Sequence, residues 1–273
     1  MMENEDFSLL TLHTLASGSE GNCLVISLAD THLLIDAGIS LRRIKTALAQ
    51  LNLCMDDLSA ILLTHEHTDH TCALATLIKH HDTPLYASAA TARQLQQRLG
   101  CSLPQMHIVH SGELLELGNC RISVFATSHD TGESVDYRID GGGSSVGVLT
   151  DTGFVTPEAM QVLQGVELLV LESNHDVEWL LSGPYPYYLK DRILSRRGHL
   201  SNEDAAAFAV DMARSGTREI ILAHLSRENN TPQRALDTVQ RALSAAGLSP
   251  RVSVAPRSEL SQCYEPEGRA CRE

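Results

Sequence analysis

The chain has 273 residues, of which 43% are hydrophobic and 20% are charged. This is enough for a buried core in one large domain or two small ones, and it excludes a stapled mini-protein and a largely disordered chain. The formal net charge of −13 opposes binding of a polyanion by the whole surface, so any nucleic-acid contact must be local. Only 4% of the residues are aromatic, which disfavours a stacking platform for single strands.

No apolar run approaches the ~18 residues that cross a bilayer, so we expect a soluble protein without membrane contact. The acidic start at residues 1–6 does not resemble a signal or transit peptide, which predicts a cytoplasmic location. The seven cysteines are scattered and never spaced as Cys-x-x-Cys, so we expect reduced thiols. Histidine is the outlier in the composition, with 13 copies, and the histidines cluster with carboxylates.

Apolar, β-branched segments alternate with helical patterns along the chain. The predicted strands cover residues 8–14, 23–27, 32–35, 60–63, 121–126, 145–150, 166–171, 218–223 and 251–254. Because strands and helices interleave without a linker or a repeat, we predict one layered α/β domain over residues 1–262. Residues 263–273 are expected to form a frayed tail.

Three helices are predicted from their caps. Ser40 precedes apolar residues at helical spacing, and a capping box at residues 201–204 precedes a helix over residues 205–213. The pair Thr231-Pro232 begins a helix that Gly247 can end.

Four predicted strands run into a side chain that can bind a metal ion. These side chains are His65, His129, Asp151 and His224. Because ligands gather outside the carboxyl ends of strands in open α/β sheets, we expect the four side chains to meet at one sheet edge.

The segment His65-Glu66-His67-Thr68-Asp69-His70 adds a local cluster of ligands. Neutral imidazoles and carboxylates suit zinc, manganese or iron. The segment holds more ligands than one tetrahedral ion takes, so we predict a centre of two divalent ions, zinc or manganese. The alternative is a polar helix start with Asp69 as a cap and solvated histidines. The distant His129, Asp151 and His224 argue against that alternative.

This ligand set resembles that of the metallo-β-lactamase superfamily, in the family's order and over most of the chain. The resemblance rests on residues 64–70, 128–129, 151–153 and 223–224. It implies a four-layer αββα sandwich of two related halves. It also implies that His65, His67 and His129 hold one ion, that Asp69, His70 and His224 hold the other, and that Asp151 bridges them.

A second, narrower resemblance is to the YycJ/WalJ-like branch of this superfamily. It rests on residues 16–23, 34–38, 171–176, 198–202 and 224–230. Members of the branch are described as 5′-to-3′ exonucleases that act on DNA and are linked to mismatch repair. The resemblance therefore implies DNA as the substrate and repair proteins as partners.

The chemistry predicted from the ligands is metal-dependent hydrolysis of a phosphodiester. Two divalent ions lower the pKa of a shared water to about 7, so a bridging hydroxide would be the nucleophile. Asp69 and Asp151 are then catalytic as well as ligating. His199 is the candidate acid for the leaving alkoxide; the alternative is a loop histidine bonded to a backbone carbonyl.

Two further groups of residues are candidates for contact with the substrate. The glycine-containing loop at residues 17–22 can approach a phosphate closely, which makes Ser19 and Asn22 candidates. A local cationic patch before His199 can contact the DNA backbone, although such a run is often a solvated helix face. The patch consists of Lys190, Arg192, Arg196 and Arg197.

Three more polar residues are candidate supports of the metal ligands. Asp36 follows a predicted strand, and the alternative is a strand-end turn. Asn174 and His175 precede a predicted helical segment, and the alternative for His175 is a helix cap.

Two rival functions are left open by the sequence. One is hydrolysis of a small thioester or lactone, as other members of the superfamily perform; Thr71, where glyoxalase-like members have glycine, argues against it. The other is a metal-stabilised interaction module without catalysis. The presence of all seven ligands argues against that module.

Overall fold

A computed structural model describes residues 9–266 and contains two mixed β-sheets. The first sheet consists of β1 (Thr11–Ala16), β2 (Cys23–Leu28), β3 (Thr31–Ile35), β4 (Leu58–Leu62), β5 (Leu85–Ser88) and β6 (Met106–Val109). The second consists of β7 (Leu114–Leu117), β8 (Cys120–Ala126), β9 (Val135–Gly141), β10 (Ser144–Leu149), β11 (Leu168–Glu172), β12 (Glu219–Ala223) and β13 (Arg251–Val254).

The two sheets repeat one topology. In each sheet the spatial order of the strands is their order along the chain. The strands from β1 to β3 are antiparallel, and those from β3 to β6 are parallel. Likewise, the strands from β7 to β10 are antiparallel, and those from β10 to β13 are parallel. The molecule is therefore built from two related halves, as the superfamily resemblance implied.

Helices follow most of the parallel strands. They are α1 (Leu41–Gln50), α2 (Thr68–Thr71), α3 (Leu74–Leu77), α4 (Ala89–Leu99), α5 (Pro157–Leu163), α6 (Val177–Ser182), α7 (Tyr187–Leu194), α8 (Asn202–Ser215) and α9 (Pro232–Ala245). The three predicted caps are confirmed, since Ser40, Ser201 and Thr231 each accept a backbone N–H of the first turn. Within residues 9–266, none of the helices has the length and apolar character required to cross a membrane.

Each sheet buries both of its faces. Along β11, Leu168 and Val170 lie in the core between the sheets, whereas Leu169 and Leu171 lie in the outer core. This alternation follows from the two-residue period of a strand. Helices α1, α3 and α4 cover the first sheet, and α5, α8 and α9 cover the second. The order helix, sheet, sheet, helix confirms the predicted four-layer αββα sandwich.

The nine predicted strands are present, with shifts at their ends. The first begins at Thr11 instead of Ser8, which lies outside the described residues. Sequence reasoning missed β5, β6, β7 and β9. Strands β6 and β7 are sheet edges with exposed residues, so they lack the apolar run of a buried strand. Strand β9 carries charged residues at alternate positions, among them Asp136 and Arg138. These charges interrupt the apolar run that would have predicted a strand.

The end of the described chain is attached to the first sheet. Tyr264 is buried, and its backbone N–H and C=O both bond to Leu12 at 2.9 Å. The tail predicted from Cys263 onwards therefore has a fixed point at Tyr264, where the ring joins the core between the sheets. Residues 267–273 of that predicted tail, including Cys271, lie outside the described part.

We predict that Tyr264→Ala lowers the free energy of unfolding by about 3 kcal/mol, because it empties a site in the central core. Urea denaturation measures this loss. Tyr187→Ala is the matched control: that ring is 82% exposed, so its removal should change stability by less than about 0.5 kcal/mol. Equal effects of the two substitutions would show that the segment at Tyr264 does not belong to the folded domain.

Candidate metal centre

The loops after the parallel strands carry the candidate site. Asp36 follows β3, Asp151 follows β10 and His224 follows β12, with φ angles of +59°, +51° and +53°. Residues other than glycine rarely adopt this left-handed backbone. Such conformations persist where the surrounding structure holds them, and they cluster at functional sites.

Three imidazoles form the first group of ligand atoms. His67 Nδ1 lies 3.0 Å from His65 Nε2 and 3.2 Å from His129 Nε2. Burial, together with the nearby His70, holds the pKa of His65 well below its ordinary value. Burial also lowers the pKa of His129. Both rings are thus kept neutral, which is the form that binds a metal ion.

Asp69, His70 and His224 form the second group. Asp69 Oδ2 lies 3.5 Å from His70 Nε2 and 3.6 Å from His224 Nε2. His224 Nε2 is buried and has no hydrogen-bond partner among the described residues. A buried, unpaired ring nitrogen beside a carboxylate is suited to hold a cation.

Asp151 lies between the two groups. One carboxylate oxygen, Oδ2, is 3.1 Å from His70 Nε2, and the other, Oδ1, is 3.7 Å from His129 Nε2. Burial opposes ionisation of Asp151, but the charges of His224 and His70 outweigh it and hold its pKa well below the ordinary value. The structure thus brings all seven candidate ligands together, with Asp151 between the two groups.

Asp36 supports the His-rich loop, as the sequence suggested. Its carboxylate accepts hydrogen bonds from His70 Nδ1 at 2.6 Å and from Thr64 N and Oγ1 at 2.9 and 2.8 Å. A carboxylate on the far nitrogen of a ligating imidazole fixes the orientation of the ring. Gly38 follows, where a Cβ atom would lie 1.6 Å from the Asp69 carbonyl oxygen, so only glycine fits there.

Asn22 contacts the ligands themselves. Its Nδ2 lies 3.1 Å from His70 Nε2 and 3.4 Å from Asp69 Oδ2, and its backbone N–H donates to the Asp69 carbonyl. Asn22 thus contacts the ligand loop, and the substrate contact predicted for it stays a prediction. Ser19, from the same loop, lines the cavity above the centre.

Glu172 is the site residue that sequence reasoning missed. It is fully buried, and its Oε1 accepts from His199 Nδ1 at 2.7 Å and from His224 Nδ1 at 2.9 Å. Burial opposes its ionisation, but the charge of His199 and hydrogen bonds from His199 and His224 lower its pKa to about 2. Glu172 directly follows the predicted strand 166–171, so the rule that found the four candidate ligands after predicted strands could also have found Glu172.

His199 faces the same cavity as the ligands. His199 Nδ1 is bonded to Glu172, which leaves the opposite nitrogen, Nε2, outside that contact. The bond of Nδ1 is to a carboxylate, so the alternative of a loop histidine on a backbone carbonyl is wrong for this nitrogen.

Asn174 and His175 have different environments. Asn174 Nδ2 donates to the carbonyl oxygen of His224 at 2.9 Å, which supports the strained backbone of that residue. His175 is buried, and neither ring nitrogen has a hydrogen-bond partner in the described part of the chain. Desolvation lowers its pKa to about 4. The cap of α6 is Asp176, so the cap interpretation of His175 is wrong.

The predicted cationic patch lies in and directly after α7. Lys190 Nζ donates to the carbonyl oxygens of Leu181 and Gly183 at 2.6 and 2.7 Å. Arg197 Nε donates to the carbonyl oxygen of His129 at 3.0 Å. These two side chains anchor α7 to its neighbours, which is a structural use that the local charge did not reveal.

The other two cations of the patch are also engaged. Arg192 Nε lies 2.5 Å from Asp130 Oδ2, and Arg192 lines the cavity. The Arg196 guanidinium lies over the Phe154 ring, 3.7 Å from its centroid. Of the four predicted phosphate contacts, Arg192 is thus the one that the structure brings to the cavity wall.

The cavity itself has a volume of about 340 Å³ and opens directly onto the ligands. Polar groups of the centre form its floor. Tyr185, Leu189 and Ile193 form an apolar wall on one side. The site therefore combines a charged floor with an apolar flank.

Comparison with known proteins agrees with this geometry. A family model described as "Beta-lactamase superfamily domain" matches residues 31–225, a range that contains all seven candidate ligands. The chain belongs to the metallo-β-lactamase superfamily.

Two relatives are similar over most of their length. "Exodeoxyribonuclease YycJ" of Bacillus anthracis is 38% identical, with 88% of this chain and 91% of the relative covered. "Exodeoxyribonuclease WalJ" of Streptococcus pneumoniae serotype 2 is 39% identical, with 86% of this chain and 88% of the relative covered.

A solved structure also matches the metallo-β-lactamase fold of the chain. It is that of the metallo-β-lactamase fold protein YhfI from Bacillus subtilis, with a TM-score of 0.72 at 18% identity. The match covers 94% of this chain and 99% of that one. The predicted family and fold are therefore confirmed.

We predict that Glu172→Gln weakens metal binding by about 10- to 100-fold. The Glu172 carboxylate accepts from two imidazoles and from the backbone N–H groups of Thr152 and Leu200, and an amide cannot accept with both of its ends. Competition with a chromophoric zinc chelator measures the affinity. Glu203→Gln, at an exposed position of α8, is the matched control and should bind metal like the wild type. Wild-type affinity of Glu172→Gln would mean that the carboxylate does not support the centre.

Proposed function

We propose that this member of the metallo-β-lactamase superfamily is a metal-dependent exodeoxyribonuclease. The observation that carries the proposal is the cluster of seven ligands at the strand ends, with the Glu172–His199 pair on the cavity wall. The identity of 38–39% to relatives named exodeoxyribonuclease supports DNA as the substrate. A 5′-to-3′ direction and a role in DNA repair with partner proteins complete the proposal, on the resemblance to the YycJ/WalJ-like branch.

The residues present fit a pair of divalent ions. The two groups of three ligands would each hold one ion, with Asp151 between them. The buried His224 Nε2 lacks a hydrogen-bond partner among the described residues and is suited to face such an ion. When bound, the ions supply an ionised water near neutral pH and neutralise charge on the phosphate oxygens. Zinc and manganese both suit imidazole and carboxylate ligands.

The chain's own acid is His199. Glu172 accepts from Nδ1 and so fixes the ring, which leaves Nε2 to carry the proton toward the cavity. The oxygen of the DNA strand that leaves as an alkoxide needs this proton, because a free alkoxide is a poor leaving group in water. A positioned general acid contributes about 10²- to 10⁴-fold to such a step.

The centre of the proposal is tested by Asp151→Ala. Because this residue lies between both groups of ligands, we expect complete loss of DNA hydrolysis by the purified protein. The measurement is digestion of duplexes labelled at the 5′ or the 3′ end, with zinc or manganese and with or without chelator.

Asp140→Ala is the matched control for this experiment. Asp140 pairs with Arg138 and lies opposite Ser145, at the other end of the sheet from Asp151. This variant should digest DNA like the wild type. DNA hydrolysis that persists in Asp151→Ala, or in chelator, would overturn the proposal. Activity on thioesters or lactones alone would instead assign a small-molecule hydrolase.

The acid is tested by His199→Ala, which should retain both ions and lose about 10²- to 10⁴-fold in the rate of DNA hydrolysis. With bis(p-nitrophenyl) phosphate, whose leaving group needs no proton, the loss should be below about 10-fold. Elemental analysis checks that the metal content is unchanged. An equal loss on both substrates would show that His199 acts on the structure of the site rather than as an acid.

A further inference from the structure

We infer that Tyr187 and Tyr188, together with Tyr185 at the cavity wall, form a platform on which unpaired bases of the substrate strand stack. This inference rests on the proposed function, since it names the part of DNA that is held beside the metal centre. The three residues are called the tyrosine platform below.

Tyrosine is strongly concentrated at this place. The whole sequence contains six tyrosines, and three of them lie between positions 185 and 188. Tyr187 and Tyr188 are 82% and 74% exposed, the highest values among the exposed large hydrophobic residues of the described chain. Tyr137 and Tyr264, by contrast, are buried in the central core. The low aromatic content of the whole chain thus conceals a local cluster.

The helix that carries the platform has no function in the core. None of the eight residues of α7 is buried, whereas α8 and α9 each bury several side chains against the second sheet. Exposed phenol rings on such a helix add nothing to the stability of the fold. A binding role explains why large apolar rings are placed in water.

The platform begins at the catalytic cavity with Tyr185, and Tyr187 and Tyr188 follow at the start of α7. Tyr185 lines the same cavity as Asp69 and His199. Leu189 and Ile193, which follow at helical spacing on α7, extend that wall. A strand whose phosphodiester lies at the metal centre therefore has its neighbouring bases beside this segment.

The platform is also held rigidly relative to the centre. Lys190 ties the start of α7 to the end of α6, and Arg197 ties the following loop to the carbonyl of His129. At Gly153 and Gly198, a Cβ atom would lie 2.3 Å and 2.0 Å from backbone atoms of residues 192–196. Since the segment is packed this closely against the ligand loops, stacking on it costs little ordering entropy.

Nucleobases are the occupant that this surface suits. The chain carries a net charge of −13, and the cations next to the platform are engaged in internal contacts. Ionic attraction of a polyanion is therefore weak here, whereas stacking on neutral phenol rings is insensitive to charge. Every base has a π-face, so such stacking is also tolerant of sequence, as digestion of a strand requires. Bases inside a duplex are already stacked, so the platform selects strands with unpaired nucleotides next to the cleaved bond.

The test compares Tyr187→Ala/Tyr188→Ala with Tyr187→Phe/Tyr188→Phe, which keeps the rings. The substrates are a duplex with a short single-stranded end, the same duplex with abasic sites in that end, and bis(p-nitrophenyl) phosphate. For the alanine variant, we expect KM for the single-stranded end to rise about 10- to 100-fold. The ratio of kcat/KM for DNA to that for the small ester should fall by the same factor. The phenylalanine variant should match the wild type.

Two further results are expected if the rings act on bases. The abasic substrate should remove the difference between the wild type and the alanine variant, because it has no bases to stack. In an Asp151→Ala background, which binds without cleavage, 2-aminopurine placed next to the cleaved bond should be quenched by the wild-type platform and not by the alanine variant.

The outcomes separate this inference from the proposed function. A wild-type protein that cleaves the small ester but no DNA removes the proposed function. DNA cleavage by the alanine variant with wild-type KM overturns the tyrosine platform alone, and points to a protein partner or a second copy of the chain as its occupant. Thermal denaturation of both variants checks that the fold is intact.

Discussion

Buried carboxylates that bind imidazole nitrogens hold this site together. Asp36 bonds His70, Glu172 bonds both His199 and His224, and Asp151 lies between the two groups of ligands. Isolated carboxylates at such depth would take up protons, because burial penalises the charged form. Here the surrounding imidazoles keep Glu172 and Asp151 ionised. Without metal, protons on these imidazoles balance the carboxylates, and divalent cations that replace the protons would do the same, which is the physical basis of a metal centre here.

The backbone contributes as much as the side chains. Asp36, Asp151 and His224 each turn through the left-handed region directly after a parallel strand. Hydrogen bonds to their neighbours hold them there, such as that from Asn174 Nδ2 to the carbonyl oxygen of His224 and that from the His224 N–H to Ser17 Oγ. Because both sheets share one topology, each half supplies such turns at the same edge of the sandwich. The site is thus a property of two parallel sheet edges that face each other.

Much of this was predictable from the sequence, and the failures have physical causes. A ligand after an apolar strand is a local signal, which is why His65, His129, Asp151 and His224 were found. Glu172 also follows a predicted apolar strand, but its role as acceptor for His199 and His224 depends on partners that only the folded chain brings together. The charges of Lys190 and Arg197 predicted contact with phosphate, because sequence reveals charge but not the carbonyl groups that engage it. Likewise, an average aromatic content says nothing about where the rings gather.

The residues proposed for catalysis and those proposed for substrate choice lie in different parts of the fold. The ligands lie at the ends of buried strands, so a change there disturbs the layers that stabilise the molecule. Helix α7 buries no residue, and it is attached by polar contacts and close backbone packing rather than by a core. Its exposed positions can therefore change without a large effect on stability. A segment of this kind is fixed in position, but its sequence can vary. Through such a segment, a hydrolytic centre shared within the superfamily can acquire a preference for one kind of DNA strand.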